Sequence, residues 1–100
     1  MAFTLLYHPG VARADLVPIP LNVRKRIADA LARRLHEVPE RFGHPLRGTL
    51  KGYWKLRVGD YRVVYRIVGA EVWILAILHR RQVYEGVLRR IGWEPAQGGT

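Results

Sequence analysis

Apolar positions follow two different patterns along the chain, one in each half. Between Pro20 and Pro39 they recur about every 3.6 residues, which predicts an amphipathic helix. The apolar positions of this helix are Val23, Ile27, Leu31, Leu35 and Val38. A short strand is predicted over residues 2–7 and a short helix over 10–17, because Pro18 breaks the helical pattern that precedes it.

The second half of the chain is predicted to form strands separated by glycine turns. The predicted strands are residues 53–58, 61–68 and 71–78. Gly59-Asp60 and Gly69-Ala70 separate them, and a glycine at the first of two loop positions suits a type II′ hairpin turn. A last helix is predicted over 82–91.

Together these elements predict an α+β fold in which an antiparallel sheet carries the helices on one face. The predicted order is strand, helix, helix, three strands and a short helix. A chain of 100 residues fits one domain, which we assign to residues 1–95. The small, polar residues 96–100 are predicted to be a disordered tail.

The two glycine turns set the register of the three strands. The first turn places Arg57 opposite Arg62, and the second places Arg62 opposite Ile77. One sheet face is then apolar or aromatic and must pack on the helices. That face carries Trp54, Leu56, Val58, Tyr61, Val63, Tyr65, Ile67, Val72, Ile74, Ala76 and Leu78. The other face carries Tyr53, Lys55, Arg57, Arg62, Arg66 and His79, with Val64, Trp73, Leu75 and Ile77 between them.

The opposed pair Arg57 and Arg62 is unusual because like charges directly opposite one another destabilise a sheet. An anion held between the two guanidinium groups would explain the arrangement. The alternative is that the long side-chain stems splay into water while covering apolar surface. The register therefore favours an anion site on this face and leaves the solvated arrangement open.

Composition and charge limit the class of protein and the kind of partner. The chain is 49% hydrophobic and 25% charged, as a folded globular protein is. Its net charge is +9, and 14 of its 17 basic residues are arginine, which suits recognition of phosphate. This charge favours nucleic acid or an acidic protein as the partner. The alternative is a basic surface that contacts only water. The absence of cysteine and of a long apolar run favours a cytoplasmic location without a membrane span.

Two segments carry a family resemblance. LRGTLKGYWKLRVGDYRVVYRI, residues 46–67, and LHRRQVY, residues 78–84, together resemble the RelE branch of the RelE/ParE toxin superfamily. The resemblance implies the toxin of a type II toxin–antitoxin system with a RelE-like fold. It also implies an endoribonuclease (an mRNA interferase) that cleaves mRNA on the ribosome, without a metal or cofactor, and so inhibits translation. A cognate antitoxin protein is the implied partner.

The resemblance further implies roles for individual residues. Arg62 matches a phosphate-binding arginine, Tyr84 a tyrosine that stacks on a base, and Lys55 a lysine on the strand before the turn. Either Arg80 or Arg81 matches the arginine that follows the last strand. Arg80 is predicted to be catalytic, and the basic residues predicted to bind RNA phosphates are Arg57, Arg81, Lys51 and Arg66.

RNA cleavage without a metal requires a side chain that accepts a proton and side chains that stabilise negative charge. The 2′-OH must lose a proton as it attacks phosphorus, and the extra charge on the phosphorane needs fixed cationic donors. Crowded cations favour the neutral form of a nearby lysine, so Lys55 can act as the base. His79 is the rival, because histidine titrates near neutrality. Tyr53 stands where some RelE-type enzymes carry a second lysine, which leaves the choice open.

The sequence leaves two other functions open. A ParE-like toxin that inhibits DNA gyrase through protein contacts would not need Lys55, Arg62 and Tyr84 on one face. A non-catalytic RNA-binding module would keep only the basic surface. The joint presence of the three residues favours the ribonuclease.

Overall fold

The computed structural model describes residues 2–95 and shows one five-stranded sheet. Its strands are β1 (Thr4–Tyr7), β2 (His44–Pro45), β3 (Trp54–Val58), β4 (Tyr61–Val68) and β5 (Glu71–His79). They lie in the order β1-β5-β4-β3-β2. The sheet is mixed, since β1 runs parallel to β5 while the other neighbours are antiparallel. The predicted tail, residues 96–100, lies outside the described residues.

The helices are shorter than the apolar pattern predicts. They are α1 (Leu21–Ala30), α2 (Pro39–Phe42) and α3 (Val83–Leu88). α1 continues directly into a π-helical turn, Leu31–Leu35. A second π-helical turn, Val11–Asp15, replaces the helix predicted over 10–17. Within residues 2–95 no helix is long and apolar enough to cross a membrane.

The α1 layer packs on the apolar face of the sheet, which confirms the α+β fold. The buried residues of this core include Ile27, Leu31, Leu35, Leu56, Val63 and Tyr65. A second, smaller core lies on the opposite face beneath α3. It contains Val83 and Val87 of α3 together with Leu50, Tyr53, Val64, Leu75 and Ala76. Outside this covered region the opposite face is open.

Both predicted hairpin turns are confirmed. Gly59 and Gly69 each have φ of +58°, a value that residues with a Cβ rarely adopt. The register across the first turn places Arg57 opposite Arg62 and Lys55 opposite Val64, as predicted. The β3–β4 hairpin is thus specified by local turn chemistry.

The register predicted for β5 is wrong beyond its middle. β5 carries one extra residue, Leu75, at a bulge, so Arg62 lies opposite Leu78 instead of Ile77. An extra residue in one strand moves every later side chain to the other face. The prediction therefore fails for the last residues of β5 alone.

After the bulge the side chains of β5 exchange faces. Ile77 is buried in the core under α1, and His79 lies opposite Tyr61, whose ring centroid is 5.6 Å away. Ala76 and Leu78, predicted to face the helices, instead lie opposite Val64 and Arg62 on the other side.

β1 pairs with β5 only as far as Ile74, so the edge of β5 beyond that residue has no neighbouring strand. A buried ion pair lies at this uncovered edge. The Arg90 guanidinium donates two hydrogen bonds to the Asp15 carboxylate, each 2.8 Å long. Asp15 also accepts the N–H of Ile77 at 2.9 Å, and Arg90 donates to the carbonyl of Leu75 at 3.0 Å. The pair thereby satisfies the backbone groups of β5 at the bulge, which β1 does not reach.

His8 lies beside this ion pair. Its Nδ1 accepts the N–H of Gly10 at 2.9 Å, and its ring meets Trp93 edge-on with centroids 5.2 Å apart. Burial, followed by the charge of Arg90, lowers the pKa of His8 below 6.5, and Asp15 partly opposes this shift. The folded protein therefore holds His8 in its neutral form more strongly than the unfolded chain does.

We expect stability to fall as the pH drops below 6.5, because the unfolded chain then binds a proton that folded His8 resists. His8→Asn keeps a hydrogen-bond acceptor near the Gly10 N–H but cannot titrate. Denaturation midpoints measured above and below pH 6.5 should differ less in this variant than in the wild type. His44→Asn, which replaces an exposed histidine, is the control. If the denaturation midpoints of the wild type and both variants fell equally below pH 6.5, the prediction would be contradicted.

Candidate active site and nucleic-acid interface

Three arginines meet at the β3–β4 turn, Gly59-Asp60, on the sheet face opposite α1. Arg57 and Arg62 are directly opposed across the hairpin. Arg80 follows β5, and its backbone N–H donates to the carbonyl of Asp60 at 2.8 Å. The Nε of Arg80 also lies 3.9 Å from the Asp60 carboxylate, a long and largely exposed ion pair. The fold thus brings Arg57, Arg62 and Arg80 to one turn that holds a single carboxylate, while Arg26 of α1 approaches the same turn from the helix-packed side.

Arg62 lies at the centre of this group. Its guanidinium donates to two backbone oxygens at the turn, at 3.0 and 2.9 Å. Partial burial lowers the pKa of Arg62, the charges of Arg57 and Arg80 lower it further, and Asp60 opposes them. An arginine remains charged under such shifts. The cluster therefore holds an excess of positive charge that a phosphate would offset.

Lys55 and Tyr84 lie next to the arginine cluster. Lys55 is two residues before Arg57 on β3 and faces the same side. Lys55 and Tyr84 line one narrow crevice, together with Leu46, Leu50, Val64, Val83 and Val87. The Tyr84 side chain projects from α3 and is 60% exposed, so its ring is free to contact a ligand. An exposed ring beside cations is the arrangement that single-stranded RNA-binding proteins use to hold a base.

His79 does not share this face, and the prediction that it would do so is wrong. The bulge at Leu75 turns His79 toward the helix-packed side, beside Tyr61. Its Nδ1 accepts the backbone N–H of Arg81 at 3.2 Å. Arg81 and His79 line a separate cleft between the Pro18-Ile19 segment and α3. Of the two candidate arginines after β5, Arg80 is therefore the one that joins the cluster.

Arg66 and Lys51 are the remaining predicted phosphate contacts. Arg66 shares the face of Arg62 but lies four residues further along β4, about 13 Å away at the usual rise of a strand. Its guanidinium stacks on Trp73, 5.8 Å from the ring centroid. Lys51 is exposed in the turn before β3. Arg66 is thus too far away to hold the same phosphate as Arg62, and both residues remain predictions as contacts to flanking nucleotides.

Asp60 belongs to the site, although the sequence indicated only a turn residue. It lies between Arg62 and Arg80, and its carboxylate is the acidic group that offsets their charge. The signal was present in the segment GDYR, where an acid lies two residues before the motif arginine. No group of three metal-ligating side chains occurs among residues 2–95.

One protein-family model matches most of this chain. The model of the family described as "ParE toxin of type II toxin-antitoxin system, parDE" matches residues 10–84. The chain therefore belongs to the RelE/ParE toxins of type II toxin–antitoxin systems. Over 75 residues it is 36% identical to the toxin RelG of Mycobacterium tuberculosis, an alignment that covers 73% of this chain and 86% of that protein.

Two solved structures show the same architecture. The toxin–antitoxin complex RelBE2 of Mycobacterium tuberculosis contains a chain that superimposes with a TM-score of 0.73 at 32% identity, covering 80% of this chain and 93% of that one. A mutant of the Escherichia coli toxin RelE in its free state gives a TM-score of 0.69 at 22% identity, covering 91% and 99%. The second match supports the fold alone. The resemblance of residues 46–67 and 78–84 to RelE-like toxins is thus confirmed.

The opposed arginines yield a direct test of the anion site. Arg57→Thr removes one of two repelling charges, so at low salt we expect the free energy of unfolding to rise by about 0.2–1 kcal/mol. The same variant should gain less stability than the wild type when millimolar pyrophosphate is added. The measurement is the denaturation midpoint with and without pyrophosphate. Arg66→Thr removes an equal charge from the same face and should respond as the wild type does; equal stabilisation of the Arg57 variant would contradict an anion site.

Proposed function

We propose that this toxin is a metal-independent endoribonuclease that cleaves mRNA bound to the ribosome and so inhibits translation. The observation that carries the proposal is the direct opposition of Arg57 and Arg62, with Arg80 at the same turn. This cluster adjoins Lys55 and the exposed ring of Tyr84. Folding alone does not favour such a set of charges on one face.

The arrangement suits attack by the RNA 2′-OH on the adjacent phosphorus. Lys55 would accept the 2′-OH proton, and Arg57 and Arg62 would stabilise the two developing charges on the phosphorane oxygens. The P–O5′ bond would break as the 2′-oxygen bonds to phosphorus; Arg80, with its side chain half exposed beside the turn, would hydrogen-bond to the departing 5′-oxygen, which takes its proton from solvent water. Tyr84 would stack on a base and hold the nucleotide away from helical stacking.

Lys55 is favoured over His79 as the base for a geometric reason. A general base must lie within hydrogen-bonding distance of the proton that it removes. Lys55 lies on the face of the arginine cluster, whereas the bulge places His79 beside Tyr61 on the helix-packed side. An imidazole in that position would need to cross the end of β5 to reach the same phosphate.

The openness of the site supports dependence on the ribosome. The crevice between Lys55 and Tyr84 has a volume of only about 10 Å³, far too small to enclose a nucleotide. On the rest of the basic face the side chains of Arg57, Arg66 and Arg80 are exposed to solvent. Because cleavage requires the 2′-oxygen, the phosphorus and the leaving oxygen to be aligned, a partner must hold the RNA in that geometry. A ribosome that presents a fixed codon would do this.

An antitoxin is the second proposed partner. The RelBE2 structure of Mycobacterium tuberculosis is a toxin–antitoxin complex, and its toxin-like chain shares this fold. Here an apolar groove of about 760 Å³ runs between β1 and α1, lined by side chains that include Leu5, Tyr7 and Ile27. Arg24 and Lys25 line the same groove. A segment with apolar anchors and acidic flanks fits this surface, and a cytoplasmic location follows from partners of this kind.

Inhibition of DNA gyrase is the alternative function. It is favoured by one observation, namely that the matching family model describes ParE toxins. In that case the basic face would bind a protein surface and catalyse nothing. A third possibility, a non-catalytic RNA-binding module, would bind ribosomes without cutting the message.

The decisive variant is Arg62→Ala. We expect it to slow cleavage on purified, mRNA-programmed ribosomes about 10²–10³-fold, because a fixed donor to the phosphorane is lost. Arg33→Ala removes an equal charge at a surface pair on the helical layer and should cleave normally. Unchanged cleavage by folded Arg62→Ala would contradict the mechanism. Failure of the wild type to cleave, together with inhibition of gyrase supercoiling, would favour the alternative.

The pH dependence separates the two candidate bases. We expect His79→Gln to keep the cleavage rate and its pH profile, while Lys55→Met abolishes cleavage. Only the residue that takes the proton should change the pH dependence of the rate when it is replaced, which we would follow between about pH 5 and 8. The measurement is the single-turnover rate on ribosomes across that range. A His79 variant whose profile becomes flat would assign the proton transfer to His79.

A further inference from the structure

Asp15 is the one charged residue buried within residues 2–95, at 5% exposure, and the proposed chemistry does not use it. It ends the π-helical turn Val11–Asp15 on the helix-packed side of the sheet, away from the arginine cluster. A buried carboxylate is costly unless it is fully paired. The position of Asp15 therefore calls for a reason beyond the stability of the turn itself.

The partners of Asp15 connect three separate parts of the chain. Arg90, which follows α3, forms both hydrogen bonds to the carboxylate and a third to the Leu75 carbonyl. The N–H of Ile77 completes the set on the strand side. The π-helical turn, the bulge of β5 and the end of α3 are thus held at one point. A guanidinium and a carboxylate joined by two parallel bonds fix orientation as well as distance.

α3 depends on such attachments because it has only six residues. A helix of that length has little stability of its own. Its middle rests against β5 at Gly86, where a Cβ atom would overlap the side chain of Leu78. Tyr84 is largely exposed, so the position of its ring follows the position of the helix backbone.

We propose that Asp15 and Arg90 are positioning residues for RNA cleavage, which hold α3 so that Tyr84 stays beside Lys55. The inference rests on the ribonuclease function proposed above. When the pair is broken, α3 moves on the sheet and the base that Tyr84 holds leaves the alignment needed for attack. Arg57 and Arg62 lie on the β3–β4 hairpin and keep their places, so phosphate binding persists.

The test uses Asp15→Asn and Arg90→Lys, with Asp29→Asn and Arg89→Lys as controls that change the same groups at exposed positions. Loss of alignment at a distance should lower kcat on mRNA-programmed ribosomes about 10–100-fold. KM should change little, because the phosphate-binding arginines are untouched. Unchanged kcat in a folded Asp15 or Arg90 variant would overturn the proposal.

Hydrogen exchange separates this effect from general unfolding and from failure of the proposed function. We expect the amides of α3 to lose protection in both variants while those of β3 and β4 keep it. This readout needs no RNA, so it tests the attachment even if the wild type cleaves nothing. Unchanged protection of α3, or an equal loss throughout the sheet, would overturn the positioning role.

An engineered disulfide between β5 and α3 tests whether fixing α3 restores cleavage in the Asp15→Asn variant. The chain contains no cysteine, so Leu78→Cys with Gly86→Cys creates a single possible bridge between β5 and α3. In the Asp15→Asn background, oxidation should restore kcat toward the wild-type value, and reduction should abolish the gain. Thiol titration confirms that the bridge has formed. A bridged protein that remains as slow as its reduced form would show that Asp15 does not act through α3.

Discussion

The Asp15 carboxylate accepts hydrogen bonds from the Arg90 guanidinium and from the Ile77 N–H at the point where β1 stops covering β5. These bonds stabilise the bulge at Leu75. The bulge in turn decides which late residues of β5 face the helices and which face the basic surface. The positions of α3 and of the last residues of β5 thus depend on an interaction at the uncovered edge of the sheet.

The basic face of the sheet combines a well-formed hairpin with an unfavourable distribution of charge. Arg57 and Arg62 repel one another across β3 and β4, and Arg80 adds a third cation at the same turn. Asp60 offsets only part of this charge. Proteins retain such local conflicts where function requires them. A phosphate, with its delocalised negative charge, would turn this repulsion into attraction.

Features that depend on neighbouring residues could be predicted from the sequence. The glycine turns predicted the β3–β4 hairpin, the opposition of Arg57 and Arg62, and the place of Lys55. The pattern after Pro20 predicted the helical layer. These signals are local, because turn chemistry and side-chain periodicity act over a few residues.

The sequence was insufficient where the cause lies far along the chain. Leu75 leaves the regular register because Asp15 and Arg90 satisfy the backbone around it, and Asp15 is some 60 residues away. No local pattern marks that pairing, so the regular alternation of the strand predicts the wrong face for His79 and Ile77. The arginine after the last strand stayed ambiguous for the same reason. Contacts of Arg80 with the distant β3–β4 turn, rather than its own neighbours, distinguish it from Arg81.

The chemistry of the cut ends tests the central claim most directly. The wild-type protein would be incubated with ribosomes that carry a defined mRNA, and then with the same message bearing one 2′-deoxynucleotide at the mapped cut. Attack by the 2′-OH predicts a 2′,3′-cyclic phosphate on the upstream fragment and no cleavage at the deoxy position. Equal cleavage of the deoxy message, or no cleavage of either message, would contradict the account.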